Sequence, residues 1–194
     1  MLITRMMTPP RRGADMDTRK LLLTAQEISQ MKGERKVHFL NPGAVRINKS
    51  LGDAVGLRHM GIHLIHIEPG QESTEYHLHH CEEEAVYVLS GKGTLTMASD
   101  QYLIAPGDFV GFPRHTAAHS IINDGTETLV CLVIGQRLDQ NIADYPNQHK
   151  RLYRNNGEWN LVDMGNIRVL RGPTQEPGAK QQGSGDGDST VGEE

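Results

Sequence analysis

The chain has 194 residues, 37 % of them hydrophobic and 23 % charged, and its 20 Lys and Arg residues stand against 24 Asp and Glu residues for a formal charge of −4. This balance lacks the basic surplus that attracts nucleic-acid phosphates, and no apolar run approaches the roughly 20 residues that span a bilayer, so we expect neither a nucleic-acid partner nor a membrane. The first residues contain no apolar stretch long enough for a secretory signal, and the two cysteines, Cys81 and Cys131, are expected as free thiols. A cytoplasmic protein is therefore predicted.

Both ends of the chain are predicted to lie outside the folded body. Residues 1–17 contain the breaker cluster PPRRG and are expected to be flexible, and residues 171–194 have almost nothing to bury and are expected to form a disordered tail. The folded body is divided into an N-terminal extension with the first strand or strands (18–57), a β core (58–136) and an ordered C-terminal extension (137–170).

One short helix and a series of strands are predicted in chain order. Thr24 and Glu27 have the spacing of a capping box, which predicts a helical turn near residues 23–28. From about residue 43 the pattern has period two, broken every eight to twelve positions by turn residues, and this favours an all-β antiparallel sandwich or barrel. The predicted strands are Ala44–Asn48, Met60–Glu68, Thr74–His79, Glu83–Leu89, Thr94–Ala98, Tyr102–Ile104, Phe109–Phe112, His115–Asn123 and Thr128–Gly135.

Two of these strands are apolar on both faces, namely residues 83–89 (EEAVYVL) and 129–134 (LVCLVI). Because a strand with one solvated face alternates between apolar and polar residues, both faces of these strands are expected to be covered. One face would line the barrel interior, and the other would meet another sheet, the N-terminal segment or a second subunit. We infer a homodimer, with coverage from within the chain as the alternative.

The chain contains ten histidines, several of them clustered. His77 and His79 alternate on one strand and point to the same side about 7 Å apart. Glu84 has the opposite parity, but a tight turn at residues 80–82 would return it beside the two histidines. A fourth donor from a distant hairpin, in the segment 107–123, would complete a set of three imidazoles and one carboxylate, which suits first-row transition metals.

These segments resemble the two conserved motifs of the cupin superfamily. The first pattern, G-x5-HxH-x3,4-E-x6-G, is met by His77, His79, Glu84 and Gly91, and the second, G-x5-PxG-x2-H-x3-N, by Gly107, Pro113, His119 and Asn123. The resemblance implies a single-domain barrel of the cupin-2 type, a jelly-roll-like double-stranded β-helix. It further implies that one divalent metal (manganese, iron, nickel, copper or zinc) is bound by His77, His79, Glu84 and His119.

The match has irregularities that leave alternatives open. Six residues instead of five separate Gly70 from His77, and one extra residue precedes His119. His115 occupies the position where the family usually has glycine, so His115 competes with His119 as a ligand. His80 and Glu83 are weaker alternatives within the first motif.

Further residues are candidates to line a pocket at the metal. His63 and His66 lie on one predicted strand with opposite parity, so at most one of them faces inward. The full set of pocket candidates is His63, His66, Tyr76, Tyr87 and Arg114.

The sequence indicates a mononuclear metal enzyme that acts on a small oxygen-rich molecule. A dioxygenase or oxidative decarboxylase is the first interpretation and a sugar isomerase or epimerase the second. The alternative is a non-catalytic module that binds a sugar or another small metabolite. Residues 137–170 are expected either to fold over the barrel mouth, with Trp159 docked against the sheet, or to extend a dimer interface.

Overall fold

The structure, a computed structural model, describes residues 21–170, so the termini predicted to be flexible or disordered lie outside the described residues. Two short helices and thirteen strands form within this range. They are α1 (Ala25–Gln30), β1 (Glu34–His38), β2 (Asn41–Ser50), α2 (Leu51–Ala54), β3 (Met60–Ile67), β4 (Leu78–His79), β5 (Glu84–Ser90), β6 (Gly93–Met97), β7 (Asp100–Ile104), β8 (Phe109–Phe112), β9 (His119–Ile122), β10 (Leu129–Gln136), β11 (Gln140–Tyr145), β12 (Lys150–Asn155) and β13 (Glu158–Asp163).

The strands form three antiparallel sheets, which confirms the all-β class. The largest sheet has the order β1-β2-β3-β10-β5-β8, and the second has the order β13-β12-β11-β4. The third sheet has the order β7-β6-β9. No helix of the described residues is long and apolar enough to cross a membrane.

The capping box at the start of α1 is present as predicted. The Thr24 side chain accepts from the Glu27 backbone N–H at 3.2 Å, and the Glu27 carboxylate accepts from the Thr24 N–H at 2.7 Å. The lysine Lys49 on β2 donates to the Ile28 carbonyl at 2.9 Å, which ties this helix to the large sheet.

Two predicted strands are shorter than expected, and four observed strands were not predicted. In the segment 74–79 only Leu78–His79 is a strand, and in the segment 115–123 only His119–Ile122 is one, because the residues before them follow irregular paths. The strand β1 and the three strands of the C-terminal extension, β11 to β13, lie where no strand was predicted.

The main core lies between the inner face of the large sheet and the three-stranded sheet. Ile67 on β3 and Leu129 on β10 lie opposite each other and are both fully buried. Burial of each such side chain stabilises the fold by about 1.5–3 kcal/mol. The other buried members of this core are Ile65, Val86, Val88, Leu95, Ile104, Phe112, Ile121 and Cys131.

The motif residues Gly91 and Asn123 have structural roles beside this core. Gly91 has φ +77°, and a Cβ there would lie 2.5 Å from the Thr128 carbonyl oxygen, so only glycine fits. The fully buried Asn123 donates to the carbonyls of Ile67 at 2.7 Å and Glu127 at 2.8 Å. These bonds hold the hairpin before β10 against β3.

The outer face of β5 is exposed in the part of the chain that the structure describes. Tyr87 is 39 % exposed and Leu89 is 46 % exposed. Phe109, opposite Tyr87 on the edge strand β8, is 67 % exposed. Coverage of this face by a second subunit stays a prediction.

Candidate functional site

A cavity of about 460 Å³ opens between the inner face of the large sheet and the C-terminal sheet. This volume lies in the range of small-molecule sites. The lining side chains come from β1, β2 and β3, from the segment around β4, and from β5 and β9. Tyr145, Arg154 and Trp159 show that the C-terminal extension contributes to the cavity wall. Trp159 lines the cavity and is 57 % exposed.

Three predicted metal ligands meet in this cavity, and we call them the histidine cluster: His77, Glu84 and His119. One ligand atom from each lies within 4.8 Å of the others. The backbones of His77 and His119 exchange hydrogen bonds of 3.1 and 2.8 Å, which brings the two motifs together. Glu84 begins β5 after bends at residues 80–81, but β4 pairs with β11 and β5 with β10 and β8. The tight turn that was predicted to make the two strands neighbours is therefore wrong, although Glu84 does lie beside the histidines.

The imidazoles of the cluster have one nitrogen directed into the cluster. The Nδ1 atom of His77 lies 2.9 Å from the Glu75 carbonyl, so this nitrogen donates and Nε2 carries the lone pair. The Nε2 atom of His119 is buried without a hydrogen-bond partner. A buried polar atom without a partner is costly, and a cation at the centre of the cluster would satisfy it.

The charges of the cluster also suit a cation. Burial, followed by the proximity of His119, lowers the pKa of His77 to about 3, so this imidazole is neutral at neutral pH. Burial alone would raise the pKa of Glu84, but His119 and the other surrounding imidazoles outweigh it and lower that pKa to about 2. Neutral imidazoles and an ionised carboxylate are the donor forms that divalent metals require, so the residues fit the implied ion.

His79, the fourth predicted ligand, borders the cluster. Its Nε2 atom lies 3.8 Å from Glu84 Oε2 and its ring centroid 4.9 Å from that of His77. Its Nδ1 atom lies 2.8 Å from the amide nitrogen of Asn141, which also donates to the buried carboxylate of Glu82 at 2.8 Å. The structure thus places His79 beside the cluster, within reach of a shared ion, and ties it to the C-terminal sheet.

Four basic side chains, which we call the cationic group, share the cavity with the cluster: Lys36, Arg46, Arg137 and Arg154. Arg137 pairs with Asp53, and Arg154 pairs with Glu82. Among the ion pairs of the described residues none involves Arg46, whose guanidinium donates to the Ser73 carbonyl. Burial lowers the pKa of Arg46. Because the ordinary pKa of a guanidinium is far above neutral pH, Arg46 stays charged. Arg46 is therefore a partly desolvated cation with donors to spare.

Of the five predicted pocket candidates, only His63 lines the cavity. His66 has the opposite parity on β3, and Tyr87 is on the outer face of β5. Tyr76 donates to the Ala98 carbonyl at 2.8 Å outside the cavity, and Arg114 is an exposed turn residue. The structure does not bring these four residues to the site.

The alternative ligands lie outside the histidine cluster. His115 is exposed, and its ring packs edge-on against that of His80 at a centroid distance of 5.2 Å. His80 bonds to Asp144 at 2.9 Å, and the Glu83 side chain is exposed. The extra residue in the second motif is absorbed in the irregular segment before β9, which leaves His119 in register with His77.

The sequence analysis did not identify the cationic group or His38, which also lines the cavity. A signal was present, because Lys36 and His38 alternate along β1, and Arg46 and Asn48 alternate along β2. Polar residues at alternate positions of an inner strand indicate a polar cavity wall. For Arg137 and Arg154 the sequence offers no comparable signal, since their position depends on how the C-terminal sheet packs.

Comparison with known proteins agrees with the motif resemblance. The family model described as "Cupin domain" matches residues 63–135. A crystal structure from Acidithiobacillus ferrooxidans, of a protein provisionally named a sugar phosphate isomerase, is 88 % identical. It aligns with a TM-score of 0.79 over 80 % of this chain and 100 % of that one.

A second crystal structure supports the fold alone. It is a sugar phosphate isomerase from a cupin superfamily, from Silicibacter pomeroyi, and is 24 % identical with a TM-score of 0.63. The alignment covers 72 % of this chain and 93 % of that one. No curated protein matches the chain.

Proposed function

This chain belongs to the cupin superfamily, and from that membership we propose that it is a metal-dependent isomerase acting on a small phosphorylated sugar. The observation that carries the proposal is the cavity, in which a cluster suited to a divalent cation lies beside an arginine that lacks a carboxylate partner. The name of the 88 % identical relative supports the same substrate class.

Different residues of the cavity would bind different parts of such a substrate. His77, Glu84 and His119, with His79 beside them, would hold the ion, which when bound polarises a carbonyl or hydroxyl oxygen. Arg46 would bind the phosphate, because a guanidinium donates two parallel hydrogen bonds to phosphate oxygens. The exposed ring of Trp159 at the cavity rim offers an apolar face to a sugar.

An isomerase takes precedence here over the oxygen-dependent reactions ranked first in the sequence analysis. An isomerisation needs an anion site and a polarising ion, and the cavity offers residues for both. A dioxygenase or oxidative decarboxylase stays an alternative prediction, as does the non-catalytic binding module.

The test is an NMR assay of the purified protein loaded separately with manganese, iron, nickel and zinc. Each form is incubated with glucose 6-phosphate, mannose 6-phosphate, fructose 6-phosphate, ribose 5-phosphate and ribulose 5-phosphate. We expect at least one metal form to interconvert an aldose phosphate and a ketose phosphate, and chelator-treated protein to be inactive.

Other outcomes would contradict the proposal. Oxygen consumption by the iron or manganese form, without isomerisation, would favour the oxygenase. Saturable binding of a sugar phosphate that is recovered unchanged from every metal form would favour the binding module.

We also propose that the exposed face formed by Tyr87, Leu89 and Phe109 joins two copies of the chain in the cytoplasm. These three apolar side chains form a contiguous patch on neighbouring strands, and such patches are typical of interfaces. Light scattering after size-exclusion chromatography should give a dimer for the wild type and a monomer for Phe109→Glu. A monomeric wild type would contradict this.

A further inference from the structure

Two glycines, Gly61 and Gly135, line the cavity between the histidine cluster and His63. Gly61 on β3 lies opposite Gly135 on β10, and Gly135 lies opposite Glu84 on β5. A Cβ at Gly135 would lie 4.0 Å from Glu84 Oε2, and a Cβ at Gly61 would lie 3.1 Å from His63 Nε2. Because opposed Cβ positions are about 5 Å apart, the carboxylate and the imidazole are within about 13 Å of each other. A Cβ at Gly61 would also lie 3.1 Å from Arg137 Nε, so the imidazole and the guanidinium occupy the space above Gly61. At Gly135 the nearest atom would be 3.9 Å away, so the room for a small molecule lies above Gly135.

The contacts of His63 with Arg137 and Ser50 favour a proton on Nδ1 and a lone pair on Nε2. Arg137 Nη2 lies 3.3 Å from Nε2, and since a guanidinium can only donate, Nε2 accepts. Ser50 Oγ lies 3.0 Å from Nδ1 and donates its own proton to Asp53 at 2.5 Å, so it accepts from Nδ1–H. The Asn48 amide nitrogen lies 3.2 Å from the same Nδ1, and because an amide nitrogen donates, a proton on Nδ1 requires this amide to turn its oxygen toward the ring. His63 therefore presents the lone pair of Nε2 on the cavity side.

The charges around His63 keep it neutral. Burial and then the Arg137 guanidinium lower its pKa, Asp53 raises it, Arg46 lowers it and Glu84 raises it. The net effect is a pKa below the ordinary value, so the imidazole is available as a base at neutral pH.

Other titratable groups that line the cavity outside the histidine cluster are less suited to accept a proton. The Nδ1 of His38 accepts from the Leu40 N–H at 3.2 Å, so its Nε2 carries the proton. Burial raises the pKa of Tyr145 to about 12, which leaves its hydroxyl protonated. The carboxylate of Glu82 is occupied by Arg154, the Leu138 N–H and the Asn141 amide.

We propose that His63 is the catalytic residue that transfers a proton between two adjacent carbons of the sugar, an inference that rests on the isomerase function proposed above. Nε2 takes the proton from the carbon next to the carbonyl of the aldose. The electron pair of that C–H bond forms the carbon–carbon double bond of an enediolate, and the carbonyl π pair moves onto its oxygen. The remaining hydroxyl proton passes between the two oxygens, and the imidazolium returns its proton to the former carbonyl carbon. The ketose forms with all atoms and electrons balanced and without a redox partner.

In this arrangement Arg137 and Ser50 are positioning residues. Arg137 bridges Asp53 and the imidazole, and Ser50 links Nδ1–H to the same carboxylate, so the three groups hold the ring in one orientation. The substrate would replace the long contact from Arg137 at Nε2. Such a fixed base typically accelerates proton transfer by about 10²–10⁴-fold.

The test compares wild type, His63→Gln and His66→Gln in D2O, using the sugar phosphate of the panel above that the wild type converts. His66 is the matched control, because it lies on the same strand and does not line the cavity. We expect His63→Gln to lower kcat at least about 100-fold and to lose deuterium incorporation at carbon in proportion. Its bound metal, melting temperature and affinity for inorganic phosphate should match those of the wild type, and His66→Gln should be active.

A second variant tests the space between the two groups without altering the base. Gly135→Ala places a methyl at ordinary contact distance, 3.9 Å from the Glu83 carbonyl and 4.0 Å from Glu84 Oε2, so the fold should tolerate it. We expect kcat/KM to fall at least tenfold, whereas Gly165→Ala, where no atom lies within 4 Å of the added Cβ, should have no effect.

The outcomes separate the two proposals. If the wild type isomerises a sugar phosphate and His63→Gln retains activity and deuterium incorporation within threefold, the assignment of His63 is overturned and the isomerase function stands. If the wild type converts no member of the panel in any metal form, the isomerase function fails and the inference fails with it.

Discussion

The histidine cluster and the cationic group share the cavity but differ in how their residues are held. The histidine cluster is buried, its backbones are hydrogen-bonded to each other, and its ligand atoms converge within 4.8 Å. The cationic group is spread over β1, β2 and the chain after β10, and most of its charges are paired with carboxylates. The cluster therefore has the more closely fixed geometry, and in the cationic group the unpaired Arg46 is the residue that we propose for the phosphate.

The largest expected effect is on metal binding by the histidine cluster. Glu84→Gln removes the only carboxylate of the cluster, and we expect metal affinity to fall by more than about 100-fold with loss of isomerase activity. Glu83→Gln is the matched control, because this neighbouring carboxylate is exposed. Metal content measured by mass spectrometry checks the prediction, and equal metal retention in both variants would contradict the assignment of Glu84.

In the cationic group, Arg46→Gln should leave the metal bound but weaken the phosphate contact. A hydrogen bond to a charged group contributes about 1.5–3 kcal/mol, so we expect KM for a phosphorylated sugar to rise by roughly 10- to 100-fold. Arg35→Gln, on the exposed side of β1, should behave as the wild type. If the two variants have the same KM, Arg46 does not bind the phosphate.

The pH dependence of stability should distinguish the cluster in the metal-free protein. Since burial lowers the pKa of His77 to about 3, the unfolded chain takes up a proton below about pH 6.5 that the folded chain does not. Stability is therefore lost as the pH falls, by about 2 kcal/mol between pH 6.5 and pH 5 for this group. Thermal unfolding at the two pH values should show a smaller loss for His77→Gln. Equal losses would contradict the low pKa.

The smallest effect is expected far from both sides of the cavity. Thr24→Ala removes the capping box of α1 and should reduce the free energy of unfolding by about 1 kcal/mol. Activity and metal content should not change, so this variant shows whether modest destabilisation alone mimics a cavity variant. A loss of metal in Thr24→Ala would show that modest destabilisation alone releases the ion, so metal loss would no longer identify a ligand.

The histidine cluster and the cationic group also differ in how far the sequence predicts them. The histidine cluster was predicted because its residues are close in sequence within two motifs, and period two with turn residues predicted most strands of the core. Arg137 and Arg154 could not be predicted, since they reach the cavity only through the packing of the C-terminal sheet. The strands β11 to β13 were missed because their sequences, QNIADY, KRLYRN and EWNLVD, are rich in polar residues and lack a regular apolar alternation.

The remaining differences between prediction and structure concern which face of a strand a side chain occupies. His63 and His66 were predicted to face opposite sides, and the structure shows that it is His63 that lines the cavity. Tyr87 could not be placed from its apolar strand, because both faces of that strand offer similar side chains. Its exposure reflects the absence of any covering element within the described chain.

The central claim, that a metal centre and an anion site share one cavity, can be tested directly by ³¹P relaxation of inorganic phosphate in the presence of the manganese-loaded protein. The account predicts strong relaxation enhancement with the wild type and Arg35→Gln, and its loss in both Glu84→Gln and Arg46→Gln. No enhancement with manganese-loaded wild type, or full enhancement in Arg46→Gln, would contradict it.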